Sequence, residues 1–126
     1  MKANDKLSIS FSPSIETYNS ISEILGRKPT EQKFKNLSFE IPSLWTYEVI
    51  TTEIDPYFDS INTFLNLLEN KYEVLSKIGI QKSDILIWYL YEYDKECNME
   101  FDPIRMKRLG ENGIKLCISC WASKKE

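Results

Sequence analysis

The side chains able to do chemistry in this chain are carboxylates, lysines, tyrosines and three cysteines, because none of its 126 residues is histidine. That absence removes the commonest general base near neutral pH, the Ser-His and Cys-His nucleophile pairs, and every zinc site built on imidazole. Cys117-Ile-Ser-Cys120 has C-x-x-C spacing, which works as a redox pair when its first sulfur lies at a helix N-terminus. Here Ile114, Leu116, Ile118 and Cys120 alternate with Lys115, Cys117 and Ser119, the period of a strand. Residues three apart on a strand point to opposite faces, so the two sulfurs should diverge, and adding Cys97 leaves a tetrahedral metal site one ligand short. Reduced core thiols are expected, with no structural disulfide, no metal and no cofactor.

Asp94, Glu96, Asn98, Glu100 and Asp102 set an oxygen at every second position, as a calcium loop does. Met99 stands where such a loop needs glycine and Arg105 where it needs a bidentate glutamate, so a solvated acidic loop is the expectation. Acid is concentrated there: Asp84 to Asp102 holds six acids against Lys95 alone, and Glu40 to Asp59 holds five with no Lys or Arg. With a net charge of -3, no nucleic-acid partner is expected, since phosphate binding needs a concentrated positive surface. Trp45, Tyr47, Trp88, Tyr89, Tyr91 and Tyr93 could form a base-stacking platform, but Glu48, Glu92 and Asp94 beside them would repel phosphate. They read as core and cross-strand pairs, with Tyr91 and Tyr93 near a strand end as possible anchors for a protein.

These residues must be held by a succession of short elements. Leu7, Ile9 and Phe11 alternate with serines as a strand, and Ser12-Pro13 then predicts a helix start whose stripe is Ile15, Tyr18, Ile21, Ile24 and Leu25, ending at Gly26. Arg27 to Asn36 reads as a polar, mobile loop. Leu37 to Ile41 and Trp45 to Val49 alternate on either side of Pro42-Ser43 as a hairpin. Asp55-Pro56 predicts one helix of about 23 residues reaching Gly79, roughly 35 Å long. Ile85 to Tyr93, apolar or aromatic except at Glu92, reads as a central strand. Asp102-Pro103 opens a helix, with Phe101 and Met106 placed for a hydrophobic staple, and Asn112-Gly113 ends it before the closing strand.

The predicted fold is α+β, an approximately five-stranded mixed or antiparallel sheet with helices on one face in two layers, in the order βαββαβαβ. A single domain over residues 1–126 is expected, ordered over about 6–121 with a short charged C-terminal tail. The apolar run Ile85 to Tyr91 is too short to span a bilayer and the first eleven residues offer no apolar signal core, so a cytoplasmic protein without a membrane partner is expected.

The order of elements resembles the bacterial family catalogued as domain of unknown function 4279, from about Leu7 to Trp121. The resemblance rests on the serine-flanked first strand, Ile24-Leu25-Gly26 followed by Pro29-Thr30, and Ser43-Leu44-Trp45. It rests also on the helix after Asp55 and on Asp102-Pro103 through Leu109-Gly110 to the closing strand. Lys35-Asn36 and Cys120-Trp121 depart from the family pattern. The resemblance implies a bacterial α+β domain and brings no catalytic residues.

Small acidic domains use surface charge to speed association with basic partners. The expected function is therefore a non-catalytic interaction domain, an immunity-type protein that occludes a toxin being one form. Tyr91, Glu92, Tyr93, Asp94, Glu96 and Glu100 are the candidate partner-binding residues. The alternative is a small-molecule binder or carboxylate-based enzyme with a pocket between the sheet and the Arg27 to Asn36 loop, its base being Glu48, Glu92 or Asp94. A deep pocket with one buried, unpaired carboxylate would favour that class, and a flat exposed acidic surface the interaction domain. A structural unit dimerising through an edge strand is the third reading.

Overall fold

In a computed structural model of the protein, which describes residues 2–30, 41–51 and 58–123, the chain builds an open mixed sheet of four strands with four α-helices. The strands are β1 (Lys2–Ser10), β2 (Leu44–Thr51), β3 (Ile85–Tyr93) and β4 (Lys115–Ala122), ordered β2-β1-β3-β4. β1 is antiparallel to both neighbours, with Leu7 opposite Tyr47 on one side and Ile87 on the other. β4 is parallel to β3, which requires the crossover through a helix that the sequence between them supplies. The fifth strand expected over Leu37 to Ile41 lies outside the described residues except for Ile41, which is in no strand.

α1 (Ile15–Leu25) begins two residues later than Ser12-Pro13 predicts. Ser14 is its cap, accepting from the Thr17 amide at 3.1 Å, while the Ser14 amide donates to Pro42 O at 3.0 Å. At its end Gly26 adopts φ 67°, where a side chain would be strained. Beyond it the chain runs along β2: Thr30 N donates to Thr46 O at 2.7 Å and Glu48 N donates to Thr30 Oγ1 at 2.8 Å, satisfying strand groups at that edge.

The single long helix is not found. Its apolar period is real, but the chain forms α2 (Ser60–Leu68) and α3 (Tyr72–Lys77), parted at Asn70 with φ 64°. Asparagine tolerates the left-handed region because its short amide can bond locally, so Glu69-Asn70-Lys71 breaks the helix without shifting the stripe out of phase. The Asp55-Pro56 start lies outside the described residues, and the cap of α2 is Asp59. A 3₁₀ turn, Lys82–Asp84, then feeds β3.

α4 (Pro103–Asn112) matches its predicted cap at Asp102 and its stop at Gly113. Phe101 packs edge-on against Tyr89 with ring centroids 6.5 Å apart, whereas Met106 is 47% exposed, so this helix start is anchored on the sheet and not by the expected staple. Leu7, Ile9, Trp45, Ile85 and Ile87 share one face of the sheet and form the core with Ile21 and Leu25 of α1, Ile61, Phe64, Leu65 and Leu68 of α2, Leu75 of α3 and Leu109 of α4. Trp45, fully buried, donates its indole N–H to Ser22 Oγ at 2.9 Å, so the largest core side chain keeps its one polar group satisfied.

Candidate binding cleft

α2 and α4 run side by side in the same direction, joined by a ladder of polar contacts. Asp59 caps α2 by accepting from the Asn62 amide at 3.2 Å, and Asp102 caps α4 by accepting from the Arg105 amide at 2.7 Å. Arg105 spans the two caps: Nε donates to Asp59 Oδ1 at 3.0 Å, Nη2 to Asp59 Oδ2 at 2.9 Å, and Nη1 to Asp102 Oδ2. One turn further, Arg108 donates to Asn62 Oδ1 and Asn66 Oδ1, both at 2.7 Å. The ladder ends where Tyr72 Oη donates to Asn112 Oδ1 at 2.7 Å.

Where the two helices begin, a cleft of about 270 Å³ opens between them and β3. Phe58, Tyr89 and Phe101 give it aromatic walls, and Asp59, Glu100, Asp102 and Arg105 give it charge, three acids against one base. Hydrogen bonds from Arg105 hold Asp59 down to about 2, and the Arg105 backbone amide, then its side chain, lower Asp102, so both are ionised at neutral pH. The same two carboxylates raise Arg105 above its already high value and occupy its donors, which makes it a weak receptor for an anion.

Beneath the cleft lies Asp5, on the core face of β1, opposite Val49 and Tyr89 and 1% exposed. It accepts a hydrogen bond from Ser60, which lines the cleft, while Oδ1 has no partner among the described residues. Burial, only partly offset by Ser60, pushes its carboxyl up to about 6. Burial also raises the Tyr89 phenol, helped by the charge of Asp5.

The candidate residues read from sequence do not form one patch. Tyr91 is buried on the helix-covered face, Glu92 is half-buried on the opposite face, and Tyr93 is half-buried. Asp94, Glu96 and Glu100 are exposed on the loop after β3, and of these Glu100 lines the cleft. Asp5, Asp59, Ser60 and Arg105 carry no site reading in the sequence, and as site residues Tyr89 and Asp102 enter only the base-stacking and calcium-loop readings set aside there. For Asp5 the signal is present: it lies in phase with Leu7 and Ile9, so the alternation carries it inward, provided the strand is begun before Leu7.

Near Arg27 a second recess of about 350 Å³ is lined by Tyr47, Thr63, Asn66 and Leu67. The loop expected to wall the alternative pocket, Arg27 to Asn36, is described only as far as Thr30, residues 31–36 lying outside the described residues; Glu48 and Glu92, two of the suggested bases, share the other face of the sheet from the core, in the phase of Ser8, Thr46 and Trp88. Cys117 and Cys120 fall in register with Trp88 and Tyr91, so they diverge to opposite faces, but the expectation of core thiols is corrected: Cys97 lies on the loop after β3 and is exposed, Cys120 is exposed and Cys117 is half-buried. Among the described residues no group of three or more His, Cys, Asp and Glu side chains could hold a metal ion, and no helix is long and apolar enough to cross a membrane.

No family model, no curated protein and no solved structure matches this chain.

Proposed function

We propose that this protein is a non-catalytic binding module of a bacterial cytoplasm that engages a basic partner protein, an immunity-type protein occluding a toxin being one concrete form. One observation carries the reading: the cleft at the start of α2 and α4 combines an excess of ionised acid with three aromatic walls. Such a recess suits a lysine or arginine side chain, which gains both ion pairing and contact with ring faces. The exposed Asp94 and Glu96 extend the negative field along the adjoining loop, where it can steer a basic partner toward the cleft.

The buried carboxyl of Asp5 favours the second reading, a small-molecule site with a carboxylate base. A base must reach the proton it takes, and at 1% exposure Asp5 lies behind Ser60 and not in the recess. Asp59 and Asp102, the acids that do line the recess, are engaged by Arg105. Binding therefore fits this arrangement better than turnover.

Titration of isotope-labelled protein with hexalysine tests the proposal. Amide shifts should concentrate at Tyr89, Glu100, Phe101, Asp102 and Arg105, weaken as salt is added, and be absent with hexaglutamate. Shifts spread evenly over all exposed acids, including Glu16 and Glu23 on α1, would remove the cleft from the case. Saturable turnover of any small substrate, lost in Asp5→Asn, would establish the second reading instead.

A further inference from the structure

β4 closes one edge of the sheet, and among the described residues no strand pairs with its far side. Ser123 N donates to Tyr93 O at 2.7 Å, so the amides of Lys115, Cys117, Ser119 and Trp121, which share its phase, are turned toward β3. Leu116, Ile118, Cys120 and Ala122 therefore aim their N–H and C=O groups away from the sheet, a row of donors and acceptors ready for another strand. None of the usual protections blunts this edge: the register to β3 is unbroken by a bulge, the strand has no proline, and Lys115 at its start is its one charge. Ile118 to Ala122 are all exposed, Ile118 and Trp121 at 45% each. The opposite edge is guarded, since Thr30 takes up Thr46 O and Glu48 N of β2.

We propose that β4 is the contact edge for a second copy of this chain, the two β4 strands running antiparallel about a two-fold axis at Ile118 and joining the two four-stranded sheets into one. Only the outward residues can exchange backbone bonds, so Leu116 pairs with Cys120 of the second copy and Ile118 with its own counterpart. Charge selects this register. With the axis at Ile118, Lys115 stands directly across from Trp121 of the second copy, on the same face, and Glu92, in register with that Trp121, lies one strand further, about 4.8 Å. The ammonium thus meets an indole ring and a carboxylate together, and the symmetry makes the contact twice. Moving the axis to Ser119 keeps outward residues paired but sets Lys115 opposite Ser123 and loses both contacts.

A contact that uses the same strand of both copies closes on itself, and the guarded β2 edge does not extend it into a filament. This inference stands on the edge of β4 alone, whatever the cleft binds.

Sedimentation velocity from about 1 μM to about 1 mM tests for the dimer, and amide hydrogen exchange at the two ends of that range tests its geometry. The expected result is a monomer–dimer equilibrium in which the amides of Leu116, Ile118 and Cys120 slow by roughly tenfold or more on association, while those of Cys117 and Ser119, bonded to β3 in either state, do not change. Ile118→Lys sets two like charges against each other at the axis and should hold the protein monomeric; at this exposed position it should keep the native circular dichroism spectrum. Lys115→Glu should weaken the dimer by roughly tenfold, and adding Glu92→Lys should recover part of the loss. A protein that stays monomeric up to about 1 mM, a dimer that Ile118→Lys leaves intact, or slowed amides that lie off β4 or fall evenly along it would overturn the assignment.

Discussion

Arg105 grips Asp59 through two nearly parallel hydrogen bonds, 3.0 and 2.9 Å long, across 46 positions of sequence. Asp59 is also the cap of α2 and Arg105 belongs to the first turn of α4, so one ion pair fixes how the two helices begin relative to each other. Removing both roles with Asp59→Ala should cost about 1–2 kcal/mol, the range for a lost N-cap. Asp59→Asn keeps an oxygen for the Asn62 amide and gives up only the ion pair, so it should cost less. Urea denaturation of the two variants checks the order, and equal losses would mean that the cap contributes nothing.

Asp5 should make the protein less stable as pH rises through the weakly acid range. Its folded-state carboxyl is near 6 against an ordinary 3.8, so the fold binds this proton more tightly than the unfolded chain does. The contribution is fully present below 3.8 and is lost as pH climbs through about 6, a change of up to about 3 kcal/mol. Asp59 has the opposite sign: lowered to about 2, it stabilises the fold above 3.8 and stops doing so as pH falls toward 2. Wild-type stability should therefore peak near pH 4, and Asp5→Asn should flatten the neutral side of the curve. Denaturation midpoints across this range decide it, and a flat wild-type profile between about pH 4 and pH 7 would show that Asp5 is not penalised.

Local signals were legible and their sum over distance was not. Gly26, Gly113, Asp102 and the alternation of Ile85 to Tyr93 mark their elements because each acts within a turn or along one strand. Asn70 misleads because a 3.6-residue period survives a break of about one turn, so the stripe from Ile61 through Leu75 looks continuous across it. The cleft could not be read at all: Asp59, Tyr89 and Arg105 meet only because α2 and α4 run side by side next to β3. The acidic loop was visible as composition, whereas the burial of Tyr91 depended on which face β3 turns to the helices.

The break between α2 and α3 rests on the backbone of Asn70 at φ 64°. Asn70→Gly removes any side-chain strain there and should be neutral or slightly stabilising. Asn70→Val places a β-branched side chain in the left-handed region and should cost about 1–2 kcal/mol. Thermal denaturation of the pair distinguishes this from a helix that can straighten. If the Val variant gains helix content and keeps its Tm, the two segments are free to fuse.

Reversing two charges on the loop should weaken the association of the protein with a basic peptide in a salt-dependent way. Asp94 and Glu96 are exposed, so Asp94→Lys with Glu96→Lys leaves the core untouched while changing the local charge by four. At low ionic strength hexalysine binding should fall roughly tenfold, and the gap to wild type should close as added salt shortens the range of the field to a few ångströms. Glu16→Lys with Glu23→Lys, both exposed on α1, makes the same change in net charge away from the cleft and serves as the control. Equal weakening by the two pairs would mean that hexalysine responds to overall charge, and the acidic loop would lose its claim to steer a partner. Weakening confined to Asp94 and Glu96 would leave that loop as the approach to the cleft.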